Sequence, residues 1–364
     1  MDVITLFKKL IEHNSVTPED GGIFDFLEGY LDEFTFVRVD HGEVKNLFGY
    51  RRFGEGPHLC FAGHVDVVPP GEGWESDPFT ATEKEGYIYG RGAQDMKSGV
   101  AAFVQALKEA GSFNGTLSLL LTSDEEGPAK HGTLEVLKYL KERNMLPDAA
   151  IVAEPTCEEV FGDAIKVGRR GSINGVIEKH GKQGHAAYPE KATNPIHKVA
   201  QVLPHMAGVD LDEGDEYFAP SKFVVTDIRA GMEVTNVTPG KLKLMFNVRN
   251  STKTTMEDVE NFVHRYFKEM NYTLKLDQSA KPFVTDPRTR VVEALDRSIE
   301  KITGIRPKHS TAGGTSDARY IAEYGINVIE FGVKNDTIHA PNERTSIDEV
   351  TKLCEVFSDV IKTY

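Results

Sequence analysis

Short apolar runs alternate with segments of helical spacing through the first part of the chain. Runs typical of buried strands occupy 59–63, 116–121 and 149–152, and apolar residues recur at helical spacing over 98–109 and 134–140. This order predicts an α/β fold, in which a doubly wound, mostly parallel sheet carries helices on its faces. Because ligands bind such sheets beyond the carboxyl ends of the strands, the polar residues after each apolar run are the first candidates for a functional site.

The hydrophobic pattern changes after Gly171. After Pro282 the alternation of short apolar runs with segments of helical spacing resumes. In between, it predicts a strand at 172–178, a helix at 195–205 with Asn194 as N-cap, strands at 222–229 and 241–249, a helix opened by a capping box of Thr254 and Glu257, and a strand at 272–276. The order β-α-β-β-α-β is that of a ferredoxin-like unit. We therefore predict a catalytic domain in two parts, 1–171 and 283–364, and an inserted domain at 172–282.

Composition narrows the class of protein. The 364 residues are 40% hydrophobic and 27% charged, as in ordinary globular proteins, and the formal net charge is −14. A chain this acidic repels nucleic acid and anionic membrane surfaces. No stretch resembles a signal peptide or a membrane span. Cys60, Cys157 and Cys354 include no CxxC pair, which argues against a disulfide framework and a thiolate metal site. We expect a cytoplasmic protein.

Histidines and carboxylates follow several of the predicted strands. They are His64 and Asp66, then Asp95 just before a helix, the run Asp124-Glu125-Glu126, Glu154, and His339. Taken singly, each has an ordinary explanation, such as a surface loop or a solvated acidic turn. Residues two apart in an extended segment share a face, so Asp66 could hold the imidazole of His64 in orientation.

As a set, these residues indicate a metal centre. Two histidines and three carboxylates suffice for two divalent ions, each with one imidazole, one terminal carboxylate and one oxygen of a shared aspartate. Nitrogen and oxygen ligands without thiolates favour catalytic zinc, with cobalt or manganese possible. Glu125 is then available as the general base, which would make the protein a metal-assisted amide hydrolase.

Motifs along nearly the whole chain resemble those of the di-zinc aminoacylase and carboxypeptidase superfamily. They are GHVDVVPPG at 63–71, YGRGAQDMK at 89–97, SDEE at 123–126, GRRGS at 168–172, GHAAYP at 184–189, GGTSDAR at 313–319 and TIH at 337–339. The GRRGS, GHAAYP and GGTSD segments resemble more narrowly the members that hydrolyse N-succinyl-LL-2,6-diaminopimelate. The expected activity is therefore release of succinate and LL-2,6-diaminopimelate in lysine biosynthesis.

The resemblance implies a role for each candidate residue. One zinc ion would be held by His64, Asp95 and Glu154, and the other by Asp95, Glu126 and His339. Glu125 would be the base, with Asp66 behind His64. A homodimer would form through the inserted domain, and His185 would reach the active site of the partner subunit to stabilise the oxyanion.

The charge of the expected substrate favours arginine side chains as its binding groups. The substrate carries several carboxylates, and arginine forks bind carboxylates in bidentate fashion, which makes Arg170 and Arg249 the candidates. The resemblance adds hydrogen bonds from Tyr188, Asn236, Thr315 and Ser316. The ordinary alternatives are surface ion pairs for the arginines and a capping or core role for His185. The other histidines, among them His58, His131, His197 and His205, are interpreted as structural or surface groups.

Two alternative functions remain open from the sequence. One is a related amide hydrolase, such as acetylornithine deacetylase or a carboxypeptidase that acts on N-acyl amino acids. The other is a non-catalytic dimeric protein that uses the fold to bind a carboxylate ligand. Retention of Glu125 together with all five ligands argues against the second alternative.

Overall fold

The computed structural model describes residues 1–364, which form two compact units. The first unit comprises Met1–Gly168, Thr285–Ser310 and Ser316–Tyr364. The second comprises Arg169–Val284 and Thr311–Thr315.

The helices and strands are as follows. The α-helices are α1 Val3–Glu12, α2 Ile23–Tyr30, α3 Lys97–Lys108, α4 Thr133–Glu142, α5 Pro195–Val202, α6 Met256–Phe267, α7 Arg290–Thr303, α8 Ala318–Glu323 and α9 Ile347–Thr363. The strands are β1 Thr35–Arg38, β2 Asn46–Arg52, β3 His58–His64, β4 Thr82–Lys84, β5 Tyr87–Tyr89, β6 Thr116–Thr122, β7 Ala149–Val152, β8 Ala164–Lys166, β9 Gly168–Arg169, β10 Ser172–His180, β11 Gly184–His185, β12 Lys222–Ala230, β13 Val237–Thr238, β14 Lys241–Arg249, β15 Tyr272–Ala280, β16 Phe283–Val284, β17 Lys308–Ser310, β18 Asn327–Glu330 and β19 Arg344–Ser346. Short 3₁₀ helices occupy Pro189–Lys191 and Leu203–His205.

The first unit is built on an eight-stranded mixed sheet in the order β1-β2-β6-β3-β7-β18-β8-β17. Its four central strands, β6, β3, β7 and β18, are mutually parallel. Antiparallel pairs join β1 to β2, β2 to β6 and β18 to β8. The predicted α/β fold with a parallel centre is confirmed, and the antiparallel neighbours β2 and β8 flank the four central strands.

Strands β3, β6 and β7 are buried along nearly their whole length, as expected for central strands covered on both faces. Helix α3 is buried on nearly all sides and packs against α1 and α9. A side chain on Gly99 in α3 would come within 2.2 Å of the carbonyl oxygen of Ala153, so glycine permits this close approach. The contact brings the beginning of α3 next to the end of β7, where two of the candidate ligands lie.

The second unit contains a four-stranded antiparallel sheet in the order β12-β14-β10-β15. Burial alternates along β14, so one face packs against α5 and α6 through residues such as Val199, Phe223, Phe246 and Phe262. Counted along the chain, the sheet order is 2-3-1-4, which confirms the ferredoxin-like arrangement.

Two details differ from the sequence prediction. The capping box of α6 is formed by Thr255 and Asp258, one residue after the predicted pair. The hydroxyl of Thr254 instead donates to Asp212, a partner 42 residues away that local sequence does not reveal. The second unit also includes 311–315, which the prediction assigned to the catalytic domain; the divisions at 171/172 and 282/283 as domain boundaries stay a prediction. No helix is both long enough and apolar enough to cross a membrane.

Candidate metal centre and active site

The five predicted metal ligands converge beyond the carboxyl ends of the central strands in the first unit. His64 is the last residue of β3, and Glu126 and Glu154 follow its parallel neighbours β6 and β7. Asp95 lies just before α3, and His339 lies in the loop before β19. Parallel strands end at a common edge, which is why residues so far apart in sequence meet here.

One half of the cage is deeply buried. The Nε2 atom of His64 lies 3.1 Å from Oδ1 of Asp95 and 3.7 Å from Oε1 of Glu154. The side chain of His64 is 1% exposed and that of Glu154 is 11% exposed. Both ligands extend directly from strand ends, so the backbone of the sheet fixes their positions.

The other half is more open. The Nε2 atom of His339 lies 2.9 Å from Oε1 of Glu126 and 3.3 Å from Oδ2 of Asp95. The side chain of His339 is 49% exposed, and its backbone has a positive φ of 60°, a conformation that non-glycine residues rarely adopt. Asp95 thus turns one carboxylate oxygen toward each histidine, as a bridging ligand would.

The donor set fits two zinc-type ions. Ligands bonded at 2.0–2.2 Å in a tetrahedral site lie about 3.3 Å from one another. The four distances above, 2.9 to 3.7 Å, bracket that value. His64, Asp95 and Glu126 place ligand atoms within 4.8 Å of one another, a triad that combines ligands predicted for both ions. The residues are therefore suited to hold the ions that the sequence predicts.

The electrostatics of the cage call for bound cations. Burial, reinforced by the charge of Asp95, raises the pKa of Glu154 well above its usual value. Burial also raises the pKa of Glu125 well above its usual value. In His64, the hydrogen bond to Asp95 and the charge of Glu154 overcome burial and raise the pKa. Hydrogen bonds from the two histidines lower the pKa of Asp95 against the effect of burial. So many buried carboxylates are costly unless cations compensate them.

Asp66 supports the site differently from the prediction. The Nδ1 atom of His64 lies 2.8 Å from the backbone carbonyl oxygen of Asp66, and 3.7 Å from its carboxylate. The carboxylate instead accepts hydrogen bonds from the backbone N–H groups of Glu125, at 3.3 Å, and Glu126, at 3.1 Å. Asp66 therefore orients the imidazole through its backbone, while its side chain holds the segment that carries the predicted base and a predicted ligand.

Glu343 was not predicted, yet its buried carboxylate holds the Asp95 loop. It accepts hydrogen bonds from the backbone N–H groups of Gly92, Gln94 and Asp95 at 2.9, 2.8 and 3.0 Å. It also pairs with the buried guanidinium of Arg91 at 2.7 Å.

Arg91 connects the same loop to two others. Its guanidinium donates to the backbone carbonyl oxygens of Pro70 at 3.1 Å and His339 at 3.4 Å. In the sequence, Arg91 lies close to Asp95 and Glu343 lies close to His339. This proximity to predicted ligands is the only sequence feature that could have indicated a role for them. Their pairing spans 252 residues and is visible only in the fold.

The predicted oxyanion residue His185 lies in the second unit, on the short strand β11, and is exposed. The backbone N–H of Ala187 donates to its Nδ1 atom at 3.1 Å. Since Nδ1 accepts, the neutral ring carries its proton on Nε2 and can donate from there. The ring of Tyr188, which is 53% exposed, lies 5.8 Å away between centroids.

The other predicted substrate residues are divided between the units. Asn236, Arg249 and Thr315 are exposed residues of the second unit. Arg170 is partly buried in the same unit, and its Nε atom has no hydrogen-bond partner. Ser316 belongs to the first unit, is buried, and donates its hydroxyl hydrogen to the carboxylate of Glu330.

Curated relatives match the chain over its full length. The chain is 73% identical to a succinyl-diaminopimelate desuccinylase from a Nitratiruptor species, over 100% of both chains. It is 55% identical to a protein of the same name from Wolinella succinogenes, over 99% of each.

Solved structures share the fold of this chain, and a family model matches most of its length. An aminopeptidase PepT from Bacillus cereus superposes with a TM-score of 0.82 at 22% identity, covering 99% of this chain and 97% of the other. A dinuclear metal-binding peptidase of the M20 family from Bacillus subtilis superposes with a TM-score of 0.72 at 15% identity, covering 99% and 96%. The model of peptidase family M20/M25/M40 matches residues 60–363. The chain belongs to peptidase family M20/M25/M40.

Proposed function

We propose that this protein is a metal-dependent amide hydrolase that converts N-succinyl-LL-2,6-diaminopimelate to succinate and LL-2,6-diaminopimelate, on the route to lysine and meso-diaminopimelate. The observation that carries the proposal is 73% identity over the whole chain to a protein named for this activity. The convergence of five metal-ligand side chains beside Glu125 supports hydrolysis as the chemistry.

The proposed cofactors are two Zn²⁺ ions per subunit, for which Co²⁺ or Mn²⁺ could substitute. His64, Asp95 and Glu154 would hold one, and Asp95, Glu126 and His339 the other. When bound, such ions lower the pKa of water and polarise the amide carbonyl.

Glu125 is the proposed general base. It takes a proton from the water that attacks the amide carbonyl, and it passes this proton to the nitrogen as the carbon–nitrogen bond breaks. Because Glu125 is not among the proposed ligands, its carboxylate is available to accept this proton and to release it again. The backbone hydrogen bond from Glu125 to Asp66 fixes the segment that carries the base.

Residues of the second unit are proposed to bind the substrate and its oxyanion. His185 is oriented to donate from Nε2, which suits the negative charge that develops on the carbonyl oxygen. Arg249 is exposed and Arg170 is partly buried, and the guanidinium groups of both are proposed to bind substrate carboxylates. Tyr188, Asn236, Thr315 and Ser316 are proposed to add hydrogen bonds.

The protein is proposed to act as a cytoplasmic homodimer that associates through the second unit. Strand β12 forms an edge of the four-stranded sheet, and an edge strand offers unpaired N–H and C=O groups. Val224 and Ile228 on this strand are 45% and 42% exposed, and Met232 just beyond it is 57% exposed. Residues 208–211 pair with the beginning of this edge, and along the rest of it the exposed apolar side chains favour association with a second copy. The cysteines are all free and buried, which fits a reducing compartment.

A substrate panel tests the proposed activity. Zinc-loaded protein is assayed with N-succinyl-LL-2,6-diaminopimelate, N-acetylornithine and dipeptides under identical conditions. We expect the highest kcat/KM on the succinylated substrate. Faster turnover of N-acetylornithine or of a dipeptide would reject the proposed substrate and retain the hydrolase. Absence of turnover on all of them at saturating zinc would indicate a binding protein.

Mixed dimers test the proposed dimer. Glu125→Gln and His185→Ala chains are mixed after each is shown to be inactive or nearly so. If His185 acts on the active site of the partner subunit, a mixed dimer contains one complete site and activity returns. No recovery, in a mixture of two differently tagged chains that co-purification shows to exchange subunits, would place His185 in its own subunit's site.

A further inference from the structure

Three potential metal ligands form a second cluster, separate from the cage. His41, His131 and Glu135 place ligand atoms within 4.8 Å of one another. The rings of His41 and His131 are stacked, with centroids 4.0 Å apart and planes 3° from parallel. Both histidines are exposed, and Glu135 is partly buried in the first turn of α4. None of the three has a role in the proposed hydrolysis.

The backbone presents both imidazoles from fixed positions. Two backbone hydrogen bonds between His41 and Val44, at 2.9 and 3.2 Å, close the turn between β1 and β2. The N–H of His131 donates to the carboxylate of Asp124 at 2.9 Å, and its carbonyl oxygen accepts from the side chain of Asn46 at 2.8 Å. Ligands on anchored backbones lose little freedom when a metal binds.

The carboxylate of Glu135 can exchange its present partner for a metal ion at a small cost in free energy. Its partner is Lys138, in a 2.8 Å pair on one exposed helix face. Surface pairs of this kind contribute between 0 and about 1 kcal/mol, so a metal ion easily displaces the lysine.

We propose that His41, His131 and Glu135 bind a divalent transition-metal ion of the zinc class outside the catalytic cage. Two imidazoles and one carboxylate are a common ligand set for zinc, and water completes the fourth position. The two rings must splay from their parallel stack so that their nitrogen atoms converge, and the exposure of both side chains permits this rotation. The ion joins the turn after β1 to the loop before α4, which continues from the segment carrying Glu125.

Zinc counting with matched variants tests this site. Wild type, His131→Ala, Glu135→Gln and His197→Ala are dialysed against buffered free Zn²⁺, and bound zinc is measured per chain. His197 is the control because it is an exposed histidine on α5 without neighbouring ligands. We expect His131→Ala and Glu135→Gln each to bind one zinc equivalent less than wild type and His197→Ala. Turnover of the succinylated substrate should stay at the wild-type value in all of them.

The other outcomes overturn the proposal. Equal zinc content in wild type, His131→Ala and Glu135→Gln would mean that the histidine stack binds no metal. Loss of one equivalent together with turnover would mean that the zinc left the catalytic cage. A crystal of zinc-loaded wild type measured at the zinc absorption edge gives an independent test: an anomalous peak between His41 and His131 is expected, and none at that position would contradict the site.

Discussion

The two units hold their candidate functional side chains in different ways. In the first unit, His64 and Glu154 extend from strand ends, are largely buried and lie within 3.7 Å of each other. In the second unit, His185 and Arg249 are exposed. The first unit therefore presets its geometry before any ligand binds, whereas the second unit leaves these side chains exposed. Changes to the candidate site residues of the first unit should affect metal binding or chemistry, and changes to those of the second unit should affect turnover alone.

The largest effect is expected for Glu125, the residue of the first unit that should alter chemistry without altering metal content. Glu125→Gln should lower kcat by about 10²–10⁴, the usual contribution of general acid–base catalysis. Bound zinc should stay at the wild-type level because Glu125 is not among the proposed ligands. The measurements are kcat on the succinylated substrate and zinc per chain, with the exposed Glu142→Gln as control. A large loss of zinc would reassign Glu125 as a ligand.

His185 provides the matching test in the second unit. His185→Ala should lower kcat by about 10²–10³, the cost of one lost oxyanion donor, with zinc content unchanged. The free energy of unfolding should also be unchanged, because the side chain is exposed. His185→Gln, which restores an N–H donor, should recover part of the activity. An unchanged kcat in the alanine variant would return His185 to an ordinary surface role.

Substitution of Glu343 tests whether the positions of the predicted metal ligands depend on the residues that surround them. Glu343→Gln weakens the charged acceptor for three backbone N–H groups of the Asp95 loop, so zinc affinity should fall by about tenfold to a hundredfold. Asp212→Asn is the matched control, because Asp212 accepts the backbone N–H groups of Gly214 and Ser221 in the second unit, which carries no predicted metal ligand. If only the free energy of unfolding fell, with zinc affinity at the wild-type value, Glu343 would be structural alone.

This contrast also explains which features could be predicted from sequence. The apolar runs of β3, β6 and β7 predict strands, and parallel pairing places the residues after them at one edge. The hydrogen bonds of the Asp66 carboxylate could not be predicted, because their donors are backbone N–H groups. Nearly every residue has such a group, so the sequence does not indicate which one will be the donor. The ion pair of Arg91 and Glu343 could not be predicted either, because it joins segments that are distant in the sequence. Both side chains are buried, and only the fold shows this. In the second unit, the proposed site residues His185 and Arg249 are exposed, so packing does not fix the geometry of their side chains.

The pH dependence of stability should report on His58, a partly buried histidine of the first unit. Burial lowers the pKa of His58 to about 4, and its Nε2 atom lies 2.7 Å from the hydroxyl of Ser118. Below its ordinary pKa of about 6.5, His58 binds a proton in the unfolded chain but not in the folded one. Stability is therefore lost as the pH falls from about 6.5 toward 4. Between about pH 7 and about pH 5.5 the loss should be about 1 kcal/mol.

The test compares urea unfolding of wild type and His58→Gln across this pH range. The glutamine cannot take up a proton but can still bond to Ser118, so its stability should depend less on pH. Since the other titrating groups are common to both chains, the difference between the two slopes isolates His58. Identical slopes would mean that His58 is solvated in the folded protein.

The smallest effect concerns the capping box of α6 in the second unit. The hydroxyl of Thr255 accepts from the N–H of Asp258 at 3.2 Å, and the carboxylate of Asp258 accepts from the N–H of Thr255 at 2.8 Å. Thr255→Ala should lower the free energy of unfolding by about 1 kcal/mol, and Glu257→Ala should change it by less than about 0.5 kcal/mol. Turnover should be unaffected in both variants, since neither residue belongs to the proposed site. A larger cost for Glu257→Ala would restore the capping box predicted from sequence, in which Glu257 and not Asp258 closes the first turn.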